Sequence, residues 1–107
     1  MSLDVYFEDD DGDKFHDMNI THNLNRMAEA ANLYYPLWRP EEIGVVKAED
    51  NLQNLVSGLS LLLSEPDKFK EFSPYNGWGT YECLCEFVLE YILTIHKYPD
   101  AIIKACR

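Results

Sequence analysis

Leu3, Val5 and Phe7 alternate with Asp4, Tyr6 and Glu8 just ahead of Asp11-Gly12, and no other feature narrows the possible folds as much. Strict alternation places one face of a strand toward a core. Asp-Gly is a strong two-residue turn signal, because Gly accepts the positive φ of a type I′ turn. Folding about that turn sets Phe7 opposite His16, Val5 opposite Met18 and Leu3 opposite Ile20, so both strands turn apolar side chains the same way. After Asn19-Ile20-Thr21-His22-Asn23 the period changes to that of a helix. Thr21 can cap a first helix running to about Leu33, with Leu24, Met27, Ala28 and Ala31 as its buried stripe. A hairpin therefore hands the chain directly to an amphipathic helix.

The remaining pattern is helical. Pro36 and Pro40 bracket a loop carrying Trp38 and Arg39, and Pro40-Glu41-Glu42 reads as a helical turn ending at Gly44. Asp50 and Gln53 resemble a capping box that opens a second helix with Leu52, Leu55, Val56, Leu59, Leu62 and Leu63 as its apolar face. Gly58 weakens that helix by about 1 kcal/mol relative to Ala, which close approach of a neighbour would explain. Pro66 starts a short helix to Phe72, and Ser73-Pro74-Tyr75-Asn76-Gly77 is a break. A third helix runs from Gly79 or Thr80 to about Lys97. Its Leu84, Phe87, Val88, Leu89, Tyr91, Ile92, Leu93 and Ile95 cover most of its circumference, which predicts the most buried element. Pro99 then begins a last short helix through Ile102, Ile103 and Cys106. The fold class is α+β: an N-terminal β-hairpin packed on a small bundle of three long and two or three short helices, in a single domain spanning residues 1–107.

The chain has 107 residues, 47% of them apolar, with two Trp, seven Tyr and five Phe, which suffices for one core. Its net charge of −10 is uneven: seven acids against Lys14 give −6 over residues 1–17, leaving −4 for the rest. Direct nucleic-acid binding is disfavoured, since phosphate affinity needs clustered Lys and Arg. A basic protein partner is compatible with this charge. The longest apolar stretch, near Phe87 to Ile95, contains Glu90 and is shorter than the roughly 20 residues that span a bilayer. With no leader segment and an odd number of cysteines, the expectation is a cytoplasmic protein with no membrane association.

Candidate sites each have a plainer reading. Asn19, Thr21 and Asn23 suit pairing with backbone at the strand-to-helix junction. His22, Arg26 and Glu29 share one helix face, where an anionic ligand could meet Arg26 with His22 as proton donor. A ligand-binding or hydrolytic site would thus comprise Asn19, His22, Asn23 and Arg26; a solvated face is the structural alternative. Glu82, Glu86 and Glu90 form an acidic row about 6 Å apart per step, suited to a basic partner or, as a further alternative, to mimicry of a nucleic-acid strand. Trp38, Arg39, Tyr75 and Trp78 are interface anchors by type, or else lids over the core. Cys83 and Cys85 point about 200° apart on a helix and cannot share one ion, so buried, inert thiols are expected. The acidic hairpin tip fails as a calcium loop, because Phe7 and Met18 would occupy the first and twelfth positions. No spacing calls for a cofactor or a metal.

Asn19-Ile20-Thr21-His22-Asn23, Leu37-Trp38-Arg39-Pro40, Asn76-Gly77-Trp78-Gly79-Thr80-Tyr81-Glu82 and Tyr98-Pro99-Asp100-Ala101 together resemble a family of small uncharacterised proteins from bacteria and their phages. The resemblance implies an accessory protein of a mobile element or its host and carries no catalytic residues. The leading expectation is a non-enzymatic, acidic interaction module with an unknown protein partner. A homodimer formed by strand addition at a hairpin edge is a further option.

Overall fold

The computed structural model describes residues 2–74, 77 and 79–107 and has an α+β architecture. β1 (Ser2–Glu8) and β2 (Lys14–Thr21) form the N-terminal hairpin. Helices α1 (Asn25–Ala30), α2 (Tyr34–Trp38), α3 (Leu52–Ser64), α4 (Pro66–Lys70) and α5 (Tyr81–Lys97) follow, and the chain returns as β3 (Ile102–Cys106). Leu3, Val5, Phe7, Met18, Ile20 and Ile103 are buried on the inner face of the sheet. Fully burying such a side chain stabilises by about 1.5–3 kcal/mol. Asp4, Asp17, Asn19 and Lys104 stand exposed. α5 packs on the inner face, where Tyr91 meets Phe7 edge-on with ring centroids 5.9 Å apart.

β3 corrects the expectation of a final helix. Ile102–Cys106 pairs antiparallel with β1, from Glu8↔Ile102 to Asp4↔Cys106, so the sheet order is β2-β1-β3. β1 is central rather than one edge of a two-stranded ribbon. Two consecutive β-branched isoleucines with alternating burial fit a strand better than a helix. Their partner lies almost the whole chain away, where local periodicity cannot reveal it.

The hairpin register is confirmed at Val5↔Met18 and Leu3↔Ile20 but shifts beyond them, so that Phe7 pairs with Phe15. His16, with φ +52°, is the extra residue of a bulge. Its imidazole is thereby directed to α5, with Nε2 2.9 Å from Glu90 Oε2 and 3.0 Å from Thr94 Oγ1. The tip is a five-residue loop, 9–13, rather than a two-residue turn. Asp9 Oδ1 accepts the N–H groups of Asp11 and Asp13 at 3.0 and 2.9 Å, a side-chain closure that competes with the tighter hairpin turn.

The first helix keeps its expected stripe, with Leu24, Met27, Ala28 and Ala31 buried, but is divided. A 3-10 turn over His22–Leu24 precedes α1, and Asn32, at φ +61°, redirects the chain into α2. Pro36 was expected in a loop; it lies in the first turns of α2, where a missing N–H is tolerated. Pro40–Ile43 is the expected turn, closed by Gly44 at φ +80°. Asp50 does not cap α3; its Oδ2 accepts from Val46 and Lys47 N–H, which holds its pKa below the usual value. On α3 only Leu55, Gly58 and Leu62 are buried, whereas Val56 and Leu63 are exposed. Gly58 abuts Leu33, which supplies the close approach anticipated for it.

Candidate functional site

The strand-to-helix junction is built from hydrogen bonds within the protein. Thr21 Oγ1 caps the 3-10 turn by accepting from Asn23 N–H at 3.2 Å. Asn19 faces away from the helix, on the outer sheet surface, where its amide donates to Ser2 Oγ at 2.9 Å and Asp4 Oδ1 at 2.7 Å. His22 accepts a 2.7 Å hydrogen bond at Nδ1 from the indole Nε1–H of Trp38. Indole only donates, so His22 Nδ1 carries the lone pair in this contact and the neutral ring holds its proton on Nε2. Arg26 and Glu29 are exposed. The structure thus groups His22, Asn23 and Arg26 on successive turns, while Asn19 is committed to the sheet.

Gly79 explains why two of the distinctive motifs meet. At φ +100° it lies over the junction, and a Cβ there would sit 2.7 Å from Thr21 Cγ2 and 3.0 Å from Leu24 Cγ. Trp78, expected as an interface anchor, and its companion Tyr75 lie outside the described residues.

Trp38 corrects its assignment to a partner surface. It ends α2 rather than occupying a loop, is only 2% exposed, and stacks on Tyr34 at 5.9 Å with planes 7° apart. The indole is large and apolar, and its single polar atom is satisfied by His22, so burial is favoured. Arg39 is partly exposed, and its guanidinium is tied locally, Nε to Tyr34 Oη at 3.0 Å and Nη1 to Glu42 at 2.7 Å.

α5 carries the acidic row. Thr80 caps it by accepting from Cys83 N–H, and Glu82, Glu86 and Glu90 are all exposed. Glu82 lies 3.9 Å from Lys70 and Glu90 pairs with His16; among the described residues no ion pair involves Glu86. Leu89 and Leu93, expected in the core, are instead 47% and 54% exposed. Seventeen residues cannot all face one neighbour. Tyr81, Leu84, Val88, Tyr91 and Ile95 take the inward stripe, and Leu89 and Leu93 fall among the glutamates. The cysteines also differ from expectation: Cys83 and Cys106 are exposed and only Cys85 is half-buried, its thiol pKa raised mainly by burial. Cys83 lies on the outward side of the first turn of α5, and Cys106 alternates outward on β3.

Residues without a sequence signal form a polar network beneath α2. Asn51 is fully buried and donates to Pro36 O at 2.9 Å and Tyr91 Oη at 3.2 Å, while its Oδ1 accepts from Asn54 Nδ2 at 3.2 Å. Beside it lies a 410 Å³ groove lined by Tyr34, Tyr35, Pro36, Ile43, Asn54 and Glu29, among others. The adjacent Tyr34-Tyr35-Pro36 was the available hint. Two further depressions, of 280 and 400 Å³, lie at the hairpin tip against Tyr98 and along β3 beside Val45. The carboxylates of Asp9, Asp11 and Asp13 converge within 4.8 Å at the exposed tip, with one Asp9 oxygen already engaged by the loop backbone.

Comparisons with protein-family models, with curated proteins and with solved structures find no match to this chain. Among the described residues no helix is long and apolar enough to cross a membrane.

Proposed function

We propose that the protein is a non-enzymatic interaction module that binds a basic partner protein through the outer face of α5. The observation that carries this reading is the interleaving of exposed Leu89 and Leu93 with exposed Glu82, Glu86 and Glu90 on one helix. Leucines left in water beside a row of carboxylates suit an amphipathic basic segment, whose apolar side chains cover the leucines while its cations meet the acids. α3 packs against α5, itself exposes Val56 and Leu63, and carries no charged residue. The resemblance to small bacterial and phage proteins supports an accessory role, and three free thiols suit a reducing cytoplasm.

Two other readings are less well supported. A nucleic-acid mimic needs an unbroken anionic face, yet exposed Leu89 and Leu93 lie within the row. Homodimerisation by strand addition needs an open sheet edge. β2 is broken by the His16 bulge, and β3 is partly covered because Ile103 N–H donates to Val46 O and Ala48 N–H to Ala101 O.

A synthetic amphipathic peptide of leucines and lysines, titrated by calorimetry, tests the proposal. Binding should weaken with salt and weaken about tenfold or more in the Leu89→Ser/Leu93→Ser variant, as for loss of an interface anchor. Unchanged affinity in that variant would refute the assignment to α5.

A further inference from the structure

We propose that the groove between the α1–α2 corner and α3 is a second binding site, for an extended, proline-containing peptide segment that carries a basic residue. The groove shares no residue with the α5 face, and the proposal does not rest on that reading. Its 410 Å³ volume lies within the range of ligand sites, roughly 300–1,000 Å³.

The walls are fixed before any ligand arrives. Tyr34 is clamped between its parallel stack on Trp38 and the hydrogen bond from Arg39 Nε. Asn54 is held by Asn51, itself fully buried and anchored on Pro36 O and Tyr91 Oη. Such preorganisation lowers the entropy lost on binding. Against these rigid parts, Tyr35 and Ile43 remain 49% and 44% exposed, so apolar surface is available in the groove.

The chemistry selects the occupant. Tyr34 and Tyr35 pack edge to face, with planes 88° apart and centroids separated by 5.3 Å, so the two rings meet at a right-angled aromatic corner rather than a flat platform. A proline ring packs into such a corner; the broad face of a sugar needs a platform. Tyr34 Oη accepts from Arg39 and keeps its own hydrogen to donate, and Asn54 has a second amide N–H beyond the one given to Asn51. A polyproline-II segment makes no internal hydrogen bonds and offers its carbonyls to such donors, and it arrives with little conformational freedom to lose. Glu29 lies at the rim, exposed, and among the described residues it makes no ion pair. With a chain charge of −10, this carboxylate favours a lysine or arginine beside the prolines.

The test is fluorescence anisotropy with a labelled peptide of Leu-Pro-Pro repeats ending in arginine. Two controls replace proline by glycine or arginine by glutamate. Saturable binding is expected, weakened about tenfold or more by Tyr35→Ala or by the glycine control, as for loss of a central anchor. Glu29→Gln should weaken the arginine peptide about threefold, the size of an exposed ion pair, and should not weaken the glutamate peptide. Leu89→Ser/Leu93→Ser should change nothing, which separates this site from the α5 face. Tyr35 is half-exposed, and Ile43→Ser gives an independent check should Tyr35→Ala perturb folding. The proposal is overturned by absence of saturable binding at millimolar peptide, by equal binding in both groove variants, or by a soluble glucan oligomer displacing the peptide from Tyr35.

Discussion

Replacing Gly58 by alanine opposes two effects of known size. On helix propensity alone the change should stabilise α3 by about 1 kcal/mol. The structure predicts the opposite sign. A Cβ at residue 58 would overlap Cγ and Cδ2 of Leu33 and lie 2.9 Å from its Cδ1. Leu33 is fully buried, so it has no solvent to retreat into. Overpacking of this kind costs about 1–3 kcal/mol. Subtracting the propensity gain from the middle of that range leaves a net loss of about 1 kcal/mol. At about 2.1 cal/mol/K per residue, the unfolding entropy of 107 residues is about 0.22 kcal/mol/K, so Tm should fall by about 4–5 °C. The decisive assay is a double-mutant cycle with Leu33→Ala, followed by urea unfolding. Leu33→Ala alone should cost about 2–5 kcal/mol. In that background Gly58→Ala should recover its propensity gain of about 1 kcal/mol, giving a coupling energy of about 2 kcal/mol between the two sites. If Gly58→Ala stabilises both backgrounds equally, the close approach of α3 to the α1–α2 corner does not exist.

His22→Ala should destabilise by about 1–3 kcal/mol by leaving the buried indole N–H of Trp38 unpaired, whereas exposed Arg26→Ala should stay within about 0.5 kcal/mol; thermal melts of the two variants check this contrast. Tyr91 is buried, which pushes its phenol pKa well above the ordinary value. The unfolded chain therefore ionises first as pH rises past about 10; the stabilisation is complete below that pH and is lost above it. The urea midpoint should fall less between neutral and strongly alkaline pH in Tyr91→Phe than in wild type, and an equal fall in both would count against the burial.

Local signals explain what the sequence disclosed. The Leu3-Val5-Phe7 alternation, the Thr21 cap, the start of the third helix near Thr80 and the stop at Gly44 each act within a few residues, and each stands where its own chemistry puts it. The strand at Ile102–Cys106 was illegible because its partner is β1. The hairpin bulge was hidden for a related reason: the His16 contacts with Glu90 and Thr94 accompany a register that turn geometry alone does not specify. At the candidate sites, residue type misled where a tertiary partner was unseen. Trp38 looked like an anchor until His22 supplied its acceptor, and Leu89 and Leu93 looked like core until neighbouring residues of α5 filled the inward face. Asn51 shows the converse, a buried amide recognisable only once Pro36 and Tyr91 are brought beside it.

Placing β1 between two partners has a consequence for biosynthesis. The hairpin can close as soon as Thr21 leaves the ribosome, but the other edge of its inner strand stays unsatisfied until Ile102–Cys106 has been translated. Through most of elongation the nascent chain therefore exposes an adhesive strand edge. The dense negative charge on the adjoining loop 9–13 would keep neighbouring nascent chains from pairing along that edge before the proper strand arrives.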